Sequence, residues 1–267
     1  MNRIKYVVDG SEVQHLQVIL RPDEKVYFLV ESFCWSSENI ITNHSYLGII
    51  SIFSSFLSSD TTLGTASNSG TSDGFIGVGN STFGRIFEYK ILPDSPKIVC
   101  ISSNFLVASF SLSVKLGLVI PIGPLASIPL RYFEISPNNS PGSLFMQSCS
   151  QIMVRELNNE ETIIMKLSCL VAFERTCTIQ LASNDRNFLS IFRGTIFSVR
   201  VQGPGKVFFC ANSKTKFLQT NGGVAGELLM ILAKLFVVFF ITTFVTVVII
   251  TVLSFDIRQL RPEDVHL

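Results

Sequence analysis

From Leu235 to Phe255 the chain runs for 21 residues without a charge. As a helix that stretch spans about 31 Å, close to the thickness of the hydrocarbon core of a bilayer. Sixteen of its residues are Leu, Ile, Val or Phe, each favourable near the membrane centre. Thr242, Thr243, Thr246, Thr251 and Ser254 weaken this only a little, since their hydroxyls can bond a carbonyl one turn back. The β-branched content would also suit a buried strand. A strand of such length is rare, however, and it could not satisfy its own backbone in lipid. The sequence therefore predicts a transmembrane helix over 235–255, after a linker over 218–234 and before a short polar tail over 256–267. Lys234, at the near flank, is expected to snorkel to the interface.

Met1 to Gly10 contains no hydrophobic run of signal length. With its hydrophobic signal at the C-terminus the chain has a tail-anchored, single-pass layout, and its domain is expected on the side where it is made. The flanking charges, Lys234 on one side and Arg258 and Arg261 among acidic residues on the other, orient it little. Net charge is +1 and charged residues make up 15% of the chain, which speaks against a clustered basic nucleic-acid footprint.

Residues 1–217 read as strands, enough for one sizeable β domain. Val13, Leu16, Val18 and Leu20 give an alternating stretch over Glu12 to Leu20, followed by the turn Arg21-Pro22-Asp23-Glu24. Val26–Val30, Ile98–Ile101, Phe105–Leu116, Ile163–Leu167, Cys169–Leu181, Ile196–Val201 and Lys206–Cys210 read likewise. No convincing amphipathic helix precedes residue 225.

Within this β region one pattern returns. Phe28-Leu29-Val30-Glu31-Ser32-Phe33 is echoed by Phe105-Leu106-Val107-Ala108-Ser109-Phe110 and, more loosely, by Cys169-Leu170-Val171-Ala172-Phe173-Glu174. Each follows a polar turn by a comparable distance. Three copies in order predict three β repeats, at about 1–88, 89–155 and 156–217, sharing one core. Each repeat is expected to carry a long connection rich in small or apolar residues: Tyr46–Thr82, Gly117–Leu125 and Asn187–Gly194. Loops of that kind usually have a partner.

Catalytic and metal-binding patterns are missing, so the sequence predicts no enzyme, no cofactor and no metal site. Gly74-Phe75-Ile76-Gly77-Val78-Gly79 has its glycines in the wrong order for a dinucleotide loop. Gly203-Pro204-Gly205 reads as a turn. His15, His44 and His266 lack a neighbouring ligand or nucleophile, and His15 is expected to face solvent. Asp23-Glu24 and Glu160-Glu161 read as solvated turn charges. The cysteines Cys34, Cys100, Cys149, Cys169, Cys177 and Cys210 show no zinc or redox spacing and read as small apolar residues. The sequons at Asn43, Asn80 and Asn138 are read as accidental in a domain that stays out of the secretory lumen.

Several segments resemble the altered-inheritance-of-mitochondria twenty-four family. They are Gly10–Val18 and Arg21–Tyr27 near the start, Asn104–Ser109 in the middle, and Glu161–Ile164, Leu170–Glu174 and Phe197–Phe209 near the end. The resemblance spans residues 1 to about 217. It implies an all-β domain of three TRAP-like repeats, of β-sandwich or double-stranded β-helix-like type, with the transmembrane helix as an addition. Where the family carries Gly-Gly-Glu-Gly-like connections, this chain has Gly79-Asn80-Ser81, Asn139-Ser140-Pro141-Gly142 and Arg193-Gly194-Thr195.

In mitochondria the family is associated with inner-membrane organisation. For this chain that implies a non-catalytic, membrane-anchored scaffold or accessory subunit at a mitochondrial membrane. Its expected partners are the lipid bilayer and other membrane proteins, with a homo-oligomer left open and no nucleic acid. The alternative is a membrane-tethered module for a small hydrophobic ligand or lipid.

Overall fold

The computed structural model describes residues 4–11, 13–44, 62–79, 84–117, 120–121, 127–128, 131–182 and 198–211. These residues form an all-β assembly, as expected, with no helix beyond three short 3₁₀ turns. The predicted transmembrane helix, Lys234, and most of the three apolar connections lie outside the described residues. Among those described, no helix is long and apolar enough to cross a membrane.

The first stretch of chain holds β1 (Lys5–Asp9), β2 (His15–Leu20), β3 (Lys25–Leu29), β4 (Phe33–Ser36), β5 (Ile40–His44), β6 (Leu63–Asn68) and β7 (Gly74–Gly79). The second holds β8 (Arg85–Ile91), β9 (Ile98–Ile101), β10 (Phe105–Ser109), β11 (Leu112–Gly117), the short pair β12 (Ile120–Pro121) and β13 (Ser127–Ile128), β14 (Tyr132–Pro137) and β15 (Gly142–Ser148). The third holds β16 (Ile152–Leu157), β17 (Thr162–Lys166), β18 (Leu170–Glu174), β19 (Thr178–Leu181), β20 (Ser198–Gln202) and β21 (Gly205–Cys210).

Strand pairing follows one scheme in all three stretches. In the first, β2 pairs with β7, β7 with β4, β3 with β6 and β6 with β5. In the second, β8 pairs with β15, β15 with β10, β9 with β14 and β14 with β11. In the third, β16 pairs with β21, β21 with β18, β17 with β20 and β20 with β19. A 3₁₀ turn, Val30–Ser32, Ser102–Asn104 or Leu167–Cys169, leads directly into β4, β10 or β18. Each of those strands then carries a β-bulge, between Phe33 and Trp35, Phe105 and Val107, and Leu170 and Ala172. Such a bulge bends the strand and re-aims its side chains.

The three hydrophobic hexamers do not sit at matching places in this scheme. Phe28 lies in the strand before a 3₁₀ turn, Phe105 opens the strand after one, and Cys169 closes the turn itself. The residue that matches Phe105 and Leu170 is Phe33. Apolar composition produced the echo, and the turns set the true phase.

Sheets are built across the stretches rather than within them. One six-stranded sheet runs β5-β6-β3-β10-β15-β8 and another β11-β14-β9-β18-β21-β16. The cores follow suit. Leu16, Val18, Val26, Phe28, Ile76 and Val78 pack with Leu106, Val107 and Phe145 from the second stretch. Ile98, Phe105, Phe133, Leu144 and Met146 pack with Val171, Ala172 and Phe208 from the third. A third cluster joins Val99 and Ile101 to Leu157, Leu170, Phe173, Val199, Val201 and Val207.

The stretch Leu63–Gly79, expected to lie within a connection, forms β6 and β7 instead. Two of its glycines make room for aromatic rings. A Cβ on Gly64 would stand 2.8 Å from the Phe28 ring, and one on Gly77 would collide with the Trp35 indole.

Candidate functional site

Among the sheet edges, two matter here: β4 ends the sheet β1-β2-β7-β4 and β17 ends the sheet β17-β20-β19, each with a strand neighbour on one side only among the described residues. The preceding 3₁₀ turn positions β4, and the Ser32 hydroxyl closes that turn by donating to the Leu29 carbonyl at 2.6 Å. Phe33 and Trp35 emerge on either side of the bulge, 41% and 39% exposed. Trp35 lies over Gly77, and the His15 ring meets the indole edge-on with centroids 5.1 Å apart. His15 is thus half-buried against an aromatic face rather than simply turned to solvent, with Nε2 3.8 Å from an Asp9 carboxylate oxygen.

Cys34, between Phe33 and Trp35, is exposed and free, its thiol donating to the Ser32 carbonyl at 3.4 Å. Partial burial raises its pKa, and its contact with the Gly79 backbone offsets this in part. On β17, Ile164 is 58% exposed between Ile163 and Met165, which are half-buried. Such edges offer unpaired backbone groups to another strand.

A cleft of about 270 Å³ lies where the chain crosses between stretches, lined by Gln14, Arg85, Ile86, Phe87, Gln151 and Ile152. Gln14 is fixed by accepting from the Ile86 N–H at 2.8 Å. Beside it, the buried side-chain amide oxygen of Gln147, Oε1, has no hydrogen-bond partner among the described residues. The cleft sits just below the usual size range of small-molecule pockets, and three of its six lining side chains are polar.

The remaining residues singled out in the sequence resolve into structure. Glu24 accepts from the Arg21 N–H at 2.9 Å and closes its turn. Glu161 pairs with Arg155, whose hydrogen bond holds its carboxyl below the usual range. Gly74–Gly79 is β7, and Gly203-Pro204-Gly205 spans the tight β20–β21 connection, with Gly205 at a φ of 136°. None of the six cysteines is in a disulfide. Burial, reinforced by Glu174, pushes the Cys177 thiol up to about 11, and burial alone raises that of Cys100. Among the described residues, no three His, Cys, Asp or Glu side chains come together as a metal site. Trp35 was not among the residues singled out in the sequence; its being the one tryptophan of the chain was the available signal.

Comparison with known proteins bears on the fold. The model of the family described as Mitochondrial biogenesis AIM24 matches residues 6–211. A crystal structure of a Streptococcus pyogenes protein superposes with a TM-score of 0.64 at 18% identity, covering 80% of this chain and 96% of that one. No curated protein matches the chain.

Proposed function

Because the chain belongs to the AIM24 family of mitochondrial biogenesis, we propose that it is a non-catalytic, membrane-anchored scaffold or accessory subunit of a membrane protein complex. In this reading the domain consists of three TRAP-like β units, and the uncharged segment Leu235–Phe255 anchors it. The family's name favours a mitochondrial location, and the uncharged segment a membrane there.

The observation that carries the proposal is the apolar surface on two of the sheet edges, β4 and β17. Phe33, Trp35 and Ile164 are large side chains left in water on strands that have backbone groups to share. That combination favours protein contacts over a buried small ligand, for which the cleft near Gln14 is small and half lined by polar side chains.

The test uses the full chain and a variant lacking 235–255, expressed in cells. The full chain should resist alkaline carbonate extraction and bring down a membrane complex in stoichiometric amount from mild detergent. The truncated variant should be released. A full chain that is carbonate-soluble, or that co-purifies with no membrane protein, overturns the proposal.

A further inference from the structure

The two six-stranded sheets share one succession of strands, and the chain holds that succession a third time in two halves. The first sheet runs β5-β6-β3-β10-β15-β8 and the second β11-β14-β9-β18-β21-β16. By matching position in the pairing scheme, the third would run β19-β20-β17-β4-β7-β2. The chain contains β17-β20-β19 as one sheet and β4-β7-β2, extended by β1, as another. The absent joint is the antiparallel pair β4–β17.

The two joints that do form prescribe its register. In the first sheet Phe28 stands opposite Val107 and Tyr27 opposite Ala108. In the second, Cys100 stands opposite Ala172 and Val99 opposite Phe173. Counting from the 3₁₀ turns, the same places belong to Met165 opposite Trp35 and Ile164 opposite Ser36. At the formed joints Val99, Cys100, Val107 and Ala172 are all 0% exposed. At the unmade joint Ile164 is 58% and Trp35 39% exposed. The cores agree: the first receives Leu106 and Val107 from an incoming strand, whereas the third includes no residue of β4.

We propose that β4 of one copy pairs with β17 of a second copy, completing the six-stranded sheet between chains. The occupant is argued from fit, since each edge is the counterpart of the other in a joint this chain already makes twice. The contact is head-to-tail, so a pair of copies still has one β4 edge and one β17 edge free, and assembly closes into a ring or extends as a filament. This rests on the scaffold reading and names its first partner, a copy of the same chain.

The experiment uses full-length protein in mild detergent with Cys34→Ser as background. One preparation carries Trp35→Cys and a second, of different tag size, carries Met165→Cys. Mixed under copper–phenanthroline oxidation, they should give a disulfide-linked species containing both tags. Wild-type protein should run by light scattering at a multiple of the chain mass, and Ile164→Asp should lower that mass at least twofold without altering the β circular dichroism. Two outcomes overturn the proposal: a monomeric wild-type mass, or a disulfide that forms only within one chain of a Trp35→Cys/Met165→Cys double variant. Either leaves membrane retention and co-purification of other proteins intact if the scaffold reading stands by itself.

Discussion

The indole of Trp35 occupies the space in which a Cβ on Gly77 would stand, so these two residues, on neighbouring strands β4 and β7, fit only as a large and small pair. Gly77→Ala should therefore displace Trp35 and cost roughly 1–3 kcal/mol by overpacking. With a single tryptophan in the chain, fluorescence reads both effects: a red-shifted native emission and a lower urea midpoint. An unchanged spectrum and midpoint would show that the indole moves aside freely.

Asn68 is 2% exposed and ties together three segments. Its side-chain amide donates to the carbonyls of Leu20 and Ser72, both at 2.8 Å, and its oxygen accepts from the Gly70 N–H at 2.8 Å and the Asn39 amide at 3.1 Å. Asn68→Ala leaves these groups without their partner and should cost about 2–3 kcal/mol, measured by chemical denaturation. Asn68→Asp retains the acceptor but loses both donor bonds, and should also destabilise.

Phe208 is fully buried where the third stretch packs on the second, with its ring centroid 4.8 Å from that of Tyr89 and 6.3 Å from that of Phe87. Phe208→Ala should cost about 3–5 kcal/mol. Because the cluster spans both stretches, loss of β structure on heating should remain a single transition at a lower temperature.

The thiols give a pH prediction. Folded Cys177 titrates near 11 against an ordinary value of 9.0, its proton held by burial and by Glu174. The folded state thus binds this proton more tightly than the unfolded chain does. Its stabilising contribution is complete below pH 9 and is lost as pH rises toward 11. Cys100, raised by burial, acts in the same direction. Urea midpoints should fall from pH 8 to pH 10.5, and less steeply in Cys177→Ala. At pH 8, iodoacetamide followed by mass spectrometry should label exposed Cys34 and spare Cys100 and Cys177.

Much of the β framework was legible because alternation is a local signal. His15–Leu20 buries every second residue, and Ile98–Ile101 has the bounds its composition suggested. Longer apolar runs concealed turns. Phe105–Leu116 breaks at Phe110-Ser111 into β10 and β11, and Cys169–Leu181 breaks around Arg175–Cys177. Leu63–Gly79 looked like a connection because glycine and serine disfavour strands in isolation. The rings that require those glycines, Phe28 and Trp35, lie dozens of residues away. The same distance hid the open edges: strand periodicity shows that β4 and β17 have faces, but only the pairing shows that each lacks a neighbour.

Each whole sheet draws strands from two successive stretches of chain, and this has a consequence for synthesis. When a ribosome has released only the first stretch, β3 still waits for β10, and the core around Phe28 lacks Leu106, Val107 and Phe145. The second stretch in turn waits for β18, which pairs with β9. Nascent protein therefore matures in overlapping steps, each completing the one before it, and no single stretch can be excised as a self-sufficient module. A stalled or truncated chain would expose an unfinished apolar face, a direct signal for chaperones and proteases.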